Sequence, residues 1–424
     1  MRRLLLFVTV VAALIAAAVW LADRPGEVTI HWQGWRMDTT VPVLSLLLLA
    51  VLGVMHLVLR LVQAVIGGPR RWLAARRHKR TKAGYRALSD GLAAVAAGDS
   101  RQAAKLARRA DKLLADPSLT GLLTARAAEL SGDEAEARRR LDAMVVRPET
   151  AFLGLKGLLD LALKDGDREA ALDYARRAWA LQPGAEGLGA TLFELQARSG
   201  QWAEAEATLA EARKRGTMSG AELARRRALV LDARAAAAGD AAEAMKLAVQ
   251  AFEADSMLAP AAARAARLLH RAGKARKAAS VIETAFACNP HPDLVAAWLD
   301  LGGDEAPLAR VKRLQKLVKT NPEAGCGHLA LAAAALDARL WGQARTHLDQ
   351  SGDTGAEACR LWARLEREER RDEAAALAWT AKAAAAGPAA AWVCSTCGAT
   401  TAAWSATCPA CGEVDALDWR QPKV

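Results

Sequence analysis

The chain has 424 residues, too many for one small core and enough for an extended array with appendages. Its formal charge of +11 is lopsided: residues 1–86 hold 13 Lys/Arg against 3 Asp/Glu, while the rest hold 45 against 44. The basicity belongs to the N-terminal segment, which argues against nucleic acid, a partner that wants a basic face on the folded body.

Met1-Arg2-Arg3 precedes an apolar run from Leu4 to Ala22, and a second run goes from Val41 to Ile66. Each is long enough to cross a bilayer core of about 30 Å. Run one by itself also fits a signal peptide; the second run makes a two-span hairpin the better reading. Pro42 stands at the start of run two, where a helix tolerates it. The loop between the runs has Arg24 and Arg36 as its basic residues, whereas Arg70, Arg71, Arg76, Arg77, Lys79, Arg80, Lys82 and Arg86 follow run two. The positive-inside rule then puts both termini in the cytoplasm and residues 23–40 outside. We read residues 1–69 as the membrane anchor and residues 70–86 as a basic segment resting on anionic lipid headgroups. In the loop, Glu27–Trp32 and Trp35–Thr39 alternate in character around Gln33-Gly34, which predicts a small β-hairpin. Trp20, Trp32 and Trp35 are candidate interfacial anchors. His56 lies inside span two, as a heme ligand or as a helix-helix hydrogen-bonding group.

Beyond the basic segment one unit repeats. In the copy from Glu149 to Pro183, Leu155, Leu158 and Ala162 share one helix face, Gly166-Asp167 is a turn, and Ala171, Ala175 and Ala178 share a second face. The alanine after each turn recurs at Ala103, Ala137, Ala171, Ala205, Ala244, Ala278 and Ala344, at intervals of 34, 34, 34, 39, 34 and 66. The turn glycines Gly98, Gly132, Gly166, Gly200, Gly239 and Gly273 keep the same beat. A helix-turn-helix period of about 34 residues is the tetratricopeptide signature. The chain resembles that family from about Gly84 to Pro388, and we take residues 87–388 as the array. Units near Asp300 and after Arg370 are degenerate. The predicted class is all-α: helical hairpins nested at small residues into a superhelix whose concave face docks a protein client.

The first span, Asp23–Val28, the Trp32-x-Gly34 hairpin, the second span, the basic run and the repeats together resemble the HemY family. These are bacterial inner-membrane proteins associated with heme biosynthesis, so the resemblance implies a tetrapyrrole pathway but no reaction. An unrelated flavin-dependent protoporphyrinogen oxidase shares the name; this chain lacks its Gly-x-Gly-x-x-Gly after an N-terminal strand.

After Pro388 the character changes. Cys394-Ser395-Thr396-Cys397-Gly398 and Cys408-Pro409-Ala410-Cys411-Gly412 form C-x2-C, ten residues, C-x2-C. Two such knuckles bring four thiolates to one tetrahedral ion. We assign Cys394, Cys397, Cys408 and Cys411 as ligands of zinc, with iron in a rubredoxin-like centre as the alternative. Residues 389–424 are then a small metal-bound domain that caps the last hairpin or adds a contact. Trp392, Trp404 and Trp419 are its expected core. With four cysteines on the ion no position is open for water, so the metal is not expected to be catalytic. Cys288, Cys326 and Cys359 are expected to be small buried residues.

No phosphate-binding loop, zinc-protease helix or nucleophile elbow is present in the sequence. His270, His291, His328 and His347 lie in different repeats without ligand spacing. The expectation is therefore a membrane scaffold and not an enzyme, with a client in tetrapyrrole synthesis by resemblance. An anchor, cytoplasmic repeats and a four-cysteine tail also resemble the lipopolysaccharide assembly protein that controls proteolysis of a lipid A enzyme, but that family has one span. An iron-carrying electron-transfer protein is the third reading.

Overall fold

The computed structural model describes residues 8–422 apart from 10, 14, 18, 21, 22, 24 and 25, with the backbone alone at Trp32 and residues 63–75. Much of the first apolar run lies outside the described residues. The chain divides into two compact units, Met1–Ala137 and Arg138–Val424.

In the first unit, β1 (Glu27–Trp32) and β2 (Trp35–Thr40) pair antiparallel, Trp32 opposite Trp35. Gln33 and Gly34 both have positive φ, 47° and 88°. That is the primed two-residue turn whose twist matches paired strands. Helix α1 begins at once after β2 and runs from Val41 to Ala96, with Thr40 as N-cap and Pro42 in the first turn. At about 1.5 Å per residue it is about 84 Å long. Its backbone stays helical through Gly67-Gly68-Pro69, a run that commonly ends helices. One rod therefore carries the apolar run, the basic segment and the first helix of the packed unit. Residues Val41–Val62 have a mean hydropathy of 2.5 and are long and apolar enough to cross a membrane. Leu46 is 72% exposed and Leu57 68%. Such a continuous apolar surface suits lipid and not water. The far end of α1 packs on α2 (Ser100–Leu114) and α3 (Pro117–Leu130), burying Ala87, Ala103, Ala107, Leu123 and Ala127.

Helix α4 (Glu134–Val145) spans the boundary between the units. The second unit then continues as helix pairs. They are α5 (Ala151–Asp165) with α6 (Arg168–Leu181), α7 (Leu188–Arg198) with α8 (Trp202–Arg215), and α9 (Gly220–Ala237) with α10 (Ala241–Ala254). Next come α11 (Ala259–Arg271) with α12 (Ala275–Cys288), and α13 (Pro292–Asp300) with α14 (Pro307–Val318). The last are α15 (Gly325–Asp337) with α16 (Trp341–Ser351), and α17 (Ala356–Leu365) with α18 (Glu373–Ala385).

The turn chemistry explains the pairs. Gly166 takes the left-handed conformation at φ 74°, which ends α5, and the Asp167 carboxylate accepts the N–H of Ala170 at 3.0 Å, which starts α6. Asp99, Asp133, Asp240 and Asp372 cap other helices in the same way.

The alanine column is the packing seam. Ala103, Ala137, Ala171, Ala205, Ala278 and Ala344 are fully buried, and Ala244 is 5% exposed. A methyl group is what lets the helices approach closely. The beat that has no alanine between Ala278 and Ala344 falls on Val311, which is also buried, at 2%. The two degenerate regions are visible as a nine-residue α13 and as a π-helical turn, Glu366–Arg370, after α17.

Candidate metal centre

The tail is a three-stranded antiparallel sheet of β3 (Ala391–Cys394), β4 (Thr400–Thr401) and β5 (Leu417–Arg420), in the order β4-β3-β5. The first knuckle leaves the end of β3. Its Gly398 turns at φ 74° and donates its N–H to the Cys394 carbonyl at 3.0 Å. The second repeats the device: Gly412 has φ 75° and donates to the Cys408 carbonyl at 2.8 Å. These left-handed positions suit glycine, which lacks a Cβ. Cys408 N–H donates to the Glu413 carbonyl at 2.8 Å and Asp415 N–H to the Ala406 carbonyl at 2.9 Å, closing a hairpin around the second knuckle.

The two knuckles bring together the four sulfurs the sequence singled out. All lie within 4.8 Å of one another. Cys394 Sγ is 3.7 Å from Cys411 Sγ, and Cys397 Sγ is 3.8 Å from Cys408 Sγ. A tetrahedron with metal–sulfur bonds of about 2.3 Å has edges of about 3.8 Å. The spacing and the donor set therefore fit a tetrathiolate ion. The N–H of Cys397, helped by that of Thr396 and opposed by burial, draws the Cys394 thiol down to about 6. At Cys411 the N–H of Glu413 pulls the other way, but burial and the sulfurs of Cys397, Cys408 and Cys394 push the thiol up to about 12. Four crowded sulfurs cannot all ionise unless a cation shares the charge. The site could hold a metal ion.

The tail does not sit on the last hairpin. It lies against helices in the middle of the second unit. Trp392 stacks on His291, the N-cap of α13, with ring centroids 4.9 Å apart. Trp392, Cys394, Trp404, Ala406, Cys408, Ala416 and Leu417 join the same buried cluster as Ala228 and Leu229 of α9, Ala262 of α11 and Leu294 of α13. Arg225 of α9 grips the Asp415 carboxylate through two bonds, 2.9 and 2.7 Å long. Arg198, which ends α7, pairs with Glu413. Of the expected tail core, Trp392 and Trp404 are buried, in a cluster shared with array helices, and Trp419 stays 37% exposed. Beside Trp404, a cleft of about 590 Å³ runs to α9 and α11; two of its arginines, Arg264 and Arg267, already hold Asp232 and Asp300.

Other expectations need correction. Cys359 is buried, but Cys326 is half-buried and Cys288 exposed, because Cys288 is the last residue of α12. His328 and His347, expected in different repeats without ligand spacing, meet across the α15–α16 hairpin with Nδ1 atoms 3.1 Å apart. The signal was their place on two helices of one hairpin. His328 also bonds the Pro322 carbonyl and His347 bonds Gln350, so the pair is tied into the fold. His56 is exposed on α1.

Comparison with known proteins agrees with this organisation. Residues 26–132 match the family described as "HemY protein N-terminus", and residues 162–228 match "Tetratricopeptide repeat". The chain is 29% identical to the "Probable magnetosome protein Mms48" of Magnetospirillum gryphiswaldense, over 98% of this chain and 93% of that one. It is 27% identical to "Protein HemY" of Escherichia coli, over 34% of this chain and 35% of that one, so this second match spans about a third of either protein. Among solved structures, the yeast Sti1 domain titled "TPR2AB-domain:pHSP90-complex" aligns over 71% of this chain and 98% of its own, at 14% identity and a TM-score of 0.28. The chain therefore carries a HemY N-terminal domain at residues 26–132, tetratricopeptide repeats after it and a four-cysteine cluster at its C-terminus.

Proposed function

We propose that this protein is a scaffold held at the inner membrane by two spans, which docks a protein client on its repeats and carries out no chemistry itself. The observation that carries the reading is the tail: a folded polypeptide already rests on helices of the array, held by ring stacking and arginine–carboxylate pairs. A surface that binds polypeptide in this way has the chemistry a client needs. The long apolar face of Val41–Val62 supports anchoring in lipid, and the basic residues that follow it support contact with anionic headgroups on the cytoplasmic side.

The client, by the relation to HemY, belongs to tetrapyrrole synthesis. A second reading rests on the relative matched along 98% of this chain, which bears a magnetosome name. In that reading the client belongs to a membrane-bound assembly of that kind. Cys394, Cys397, Cys408 and Cys411 hold zinc in our reading. A full thiolate shell would give the ion a structural role, whereas iron there would add one-electron transfer.

Crosslinked pull-down from native membranes tests the scaffold. Recovery of tetrapyrrole enzymes supports the first client and recovery of a membrane-organelle assembly the second; no specific protein at all would overturn the scaffold. Metal analysis of the purified protein tests the ion: one zinc per chain supports our assignment, and the visible absorbance of a ferric tetrathiolate overturns it. A reporter fused after Val424 that is active only in the cytoplasm supports the topology, and periplasmic activity defeats it.

A further inference from the structure

The hairpin built around the second knuckle meets the array through Cys411, Glu413, Val414 and Asp415. Arg168, at the start of α6, donates to the Cys411 carbonyl at 3.4 Å. Arg198, at the end of α7, pairs with Glu413. Arg225, in α9, holds Asp415 with both oxygens. The three arginines come from three successive helix pairs, one from each. Between the two acids, Val414 packs against the apolar cluster that contains Phe193 and Val230.

This is a patterned surface, read by a ligand with carboxylates two positions apart and an apolar side chain between them. Bidentate arginine–carboxylate pairs are selective in geometry as well as charge. The frame that sets the spacing of Glu413 and Asp415 is the second knuckle itself, through the Cys408–Glu413 and Ala406–Asp415 backbone bonds. Without a cation nothing bridges the four sulfurs and that frame loses its clamp. Arg198 would then lose its carboxylate while its Nε already has no hydrogen-bond partner. Arg225 would keep only Asp255, at 3.3 Å.

We propose that the face carrying Arg168, Arg198 and Arg225 is a docking surface for an acidic protein segment, and that the metal-loaded tail is its resident occupant. Loss of the metal frees the tail and opens the face to an acidic segment of another protein. This deepens the scaffold reading and rests on it. It also names the chemistry of the client: a segment with acid, apolar and acid residues in succession.

The test uses the full chain in lipid nanodiscs, metal-loaded and metal-stripped, with fluorescent polyglutamate as probe. The basic segment 70–86 binds the probe equally in both states, so the metal-dependent difference is what counts. Stripping should tighten binding about tenfold, the scale of one charge-assisted contact. The double variant Arg198→Gln/Arg225→Gln should abolish that gain. The loaded variant Glu413→Gln/Asp415→Asn should bind as the stripped protein does, a check that keeps the metal in place. Equal binding by loaded and stripped protein, a gain that survives in the arginine variant, or no gain in the acid variant would each overturn the proposal. If the arginine variant still captures the same clients from membranes, the scaffold stands and this surface falls. If the wild type captures none, the scaffold itself falls.

Discussion

His291 lies face to face with Trp392, their ring centroids 4.9 Å apart and their planes 21° from parallel, and Trp419 meets the same imidazole edge-on at 5.1 Å. Its Nδ1 accepts the N–H of Asp293 at 3.1 Å, capping α13, so the seated ring is neutral. Burial lowers its pKa from the usual histidine value, against the pull of the nearby Asp293 carboxylate. A depressed folded value means that the released state takes up the proton first. The contribution to stability is present above the unfolded value of about 6.5 and is lost as pH falls through the folded one. Tail seating should therefore loosen in mild acid. Hydrogen exchange at the start of α13, followed from pH 7.5 to 5, should show protection falling, and His291→Phe should flatten that profile. A profile identical in wild type and variant would refute the assignment.

Asp232 of α9 is 2% exposed in its side chain and is held by Arg264 of α11 at 2.8 Å. Burial raises its pKa, and the guanidinium counters that rise. Arg264→Met leaves a buried carboxyl without its partner and should cost about 3–5 kcal/mol in chemical denaturation. The double change Asp232→Leu/Arg264→Met should recover most of the loss, because two apolar groups in contact leave nothing unpaired. Equal damage in single and double variants would show that Arg264 acts through packing alone.

The alanine seam gives a steric prediction. Ala171 is fully buried between the helices of its unit. Ala171→Leu adds three carbons where no space exists and should cost about 1–3 kcal/mol. An exposed control, Ala180→Leu, stands on the same helix and should be close to neutral; α6 is partly open at that position. Thermal melts of the two variants measure the difference.

Arg339 and Arg371 occupy the turn position that glycine holds in five earlier units, and both have the same left-handed backbone, at φ 58° and 51°. A side chain is strained there, whereas Gly98, Gly132, Gly166, Gly200 and Gly273 are not. Arg371→Gly should stabilise the protein by about 0.5–1 kcal/mol, the strain relieved less the extra entropy of an unfolded glycine. A lower melting temperature would show that the arginine side chain contributes more than its backbone costs.

Much of the architecture was legible because it is local. The beat from Ala103 to Ala344, the Gly-Asp turns and the paired cysteines all act within about one repeat, and each leaves a pattern in residue spacing. The missed features are of another kind. Arg371 hid a turn because the conformation persists without the residue type that announces it, and at Arg339 the alanine beat alone, through Ala344, marked the turn. The meeting of His328 with His347 depended on how two helix faces rotate toward each other.

The sequence by itself determined the apolar run after the β-hairpin, the hairpin repeat and the four-sulfur cluster, since periodic burial and short-range bonding specify them residue by residue. Only the tertiary structure decided where the cluster rests. Arg198 is 215 positions from Glu413 and Arg225 is 190 from Asp415. In the sequence these are ordinary charges on helical and loop segments. Their pairing comes from the stacking of successive helix pairs, which sets one arginine beside the next at the spacing of a knuckle's carboxylates. No periodicity encodes a match between two surfaces folded separately.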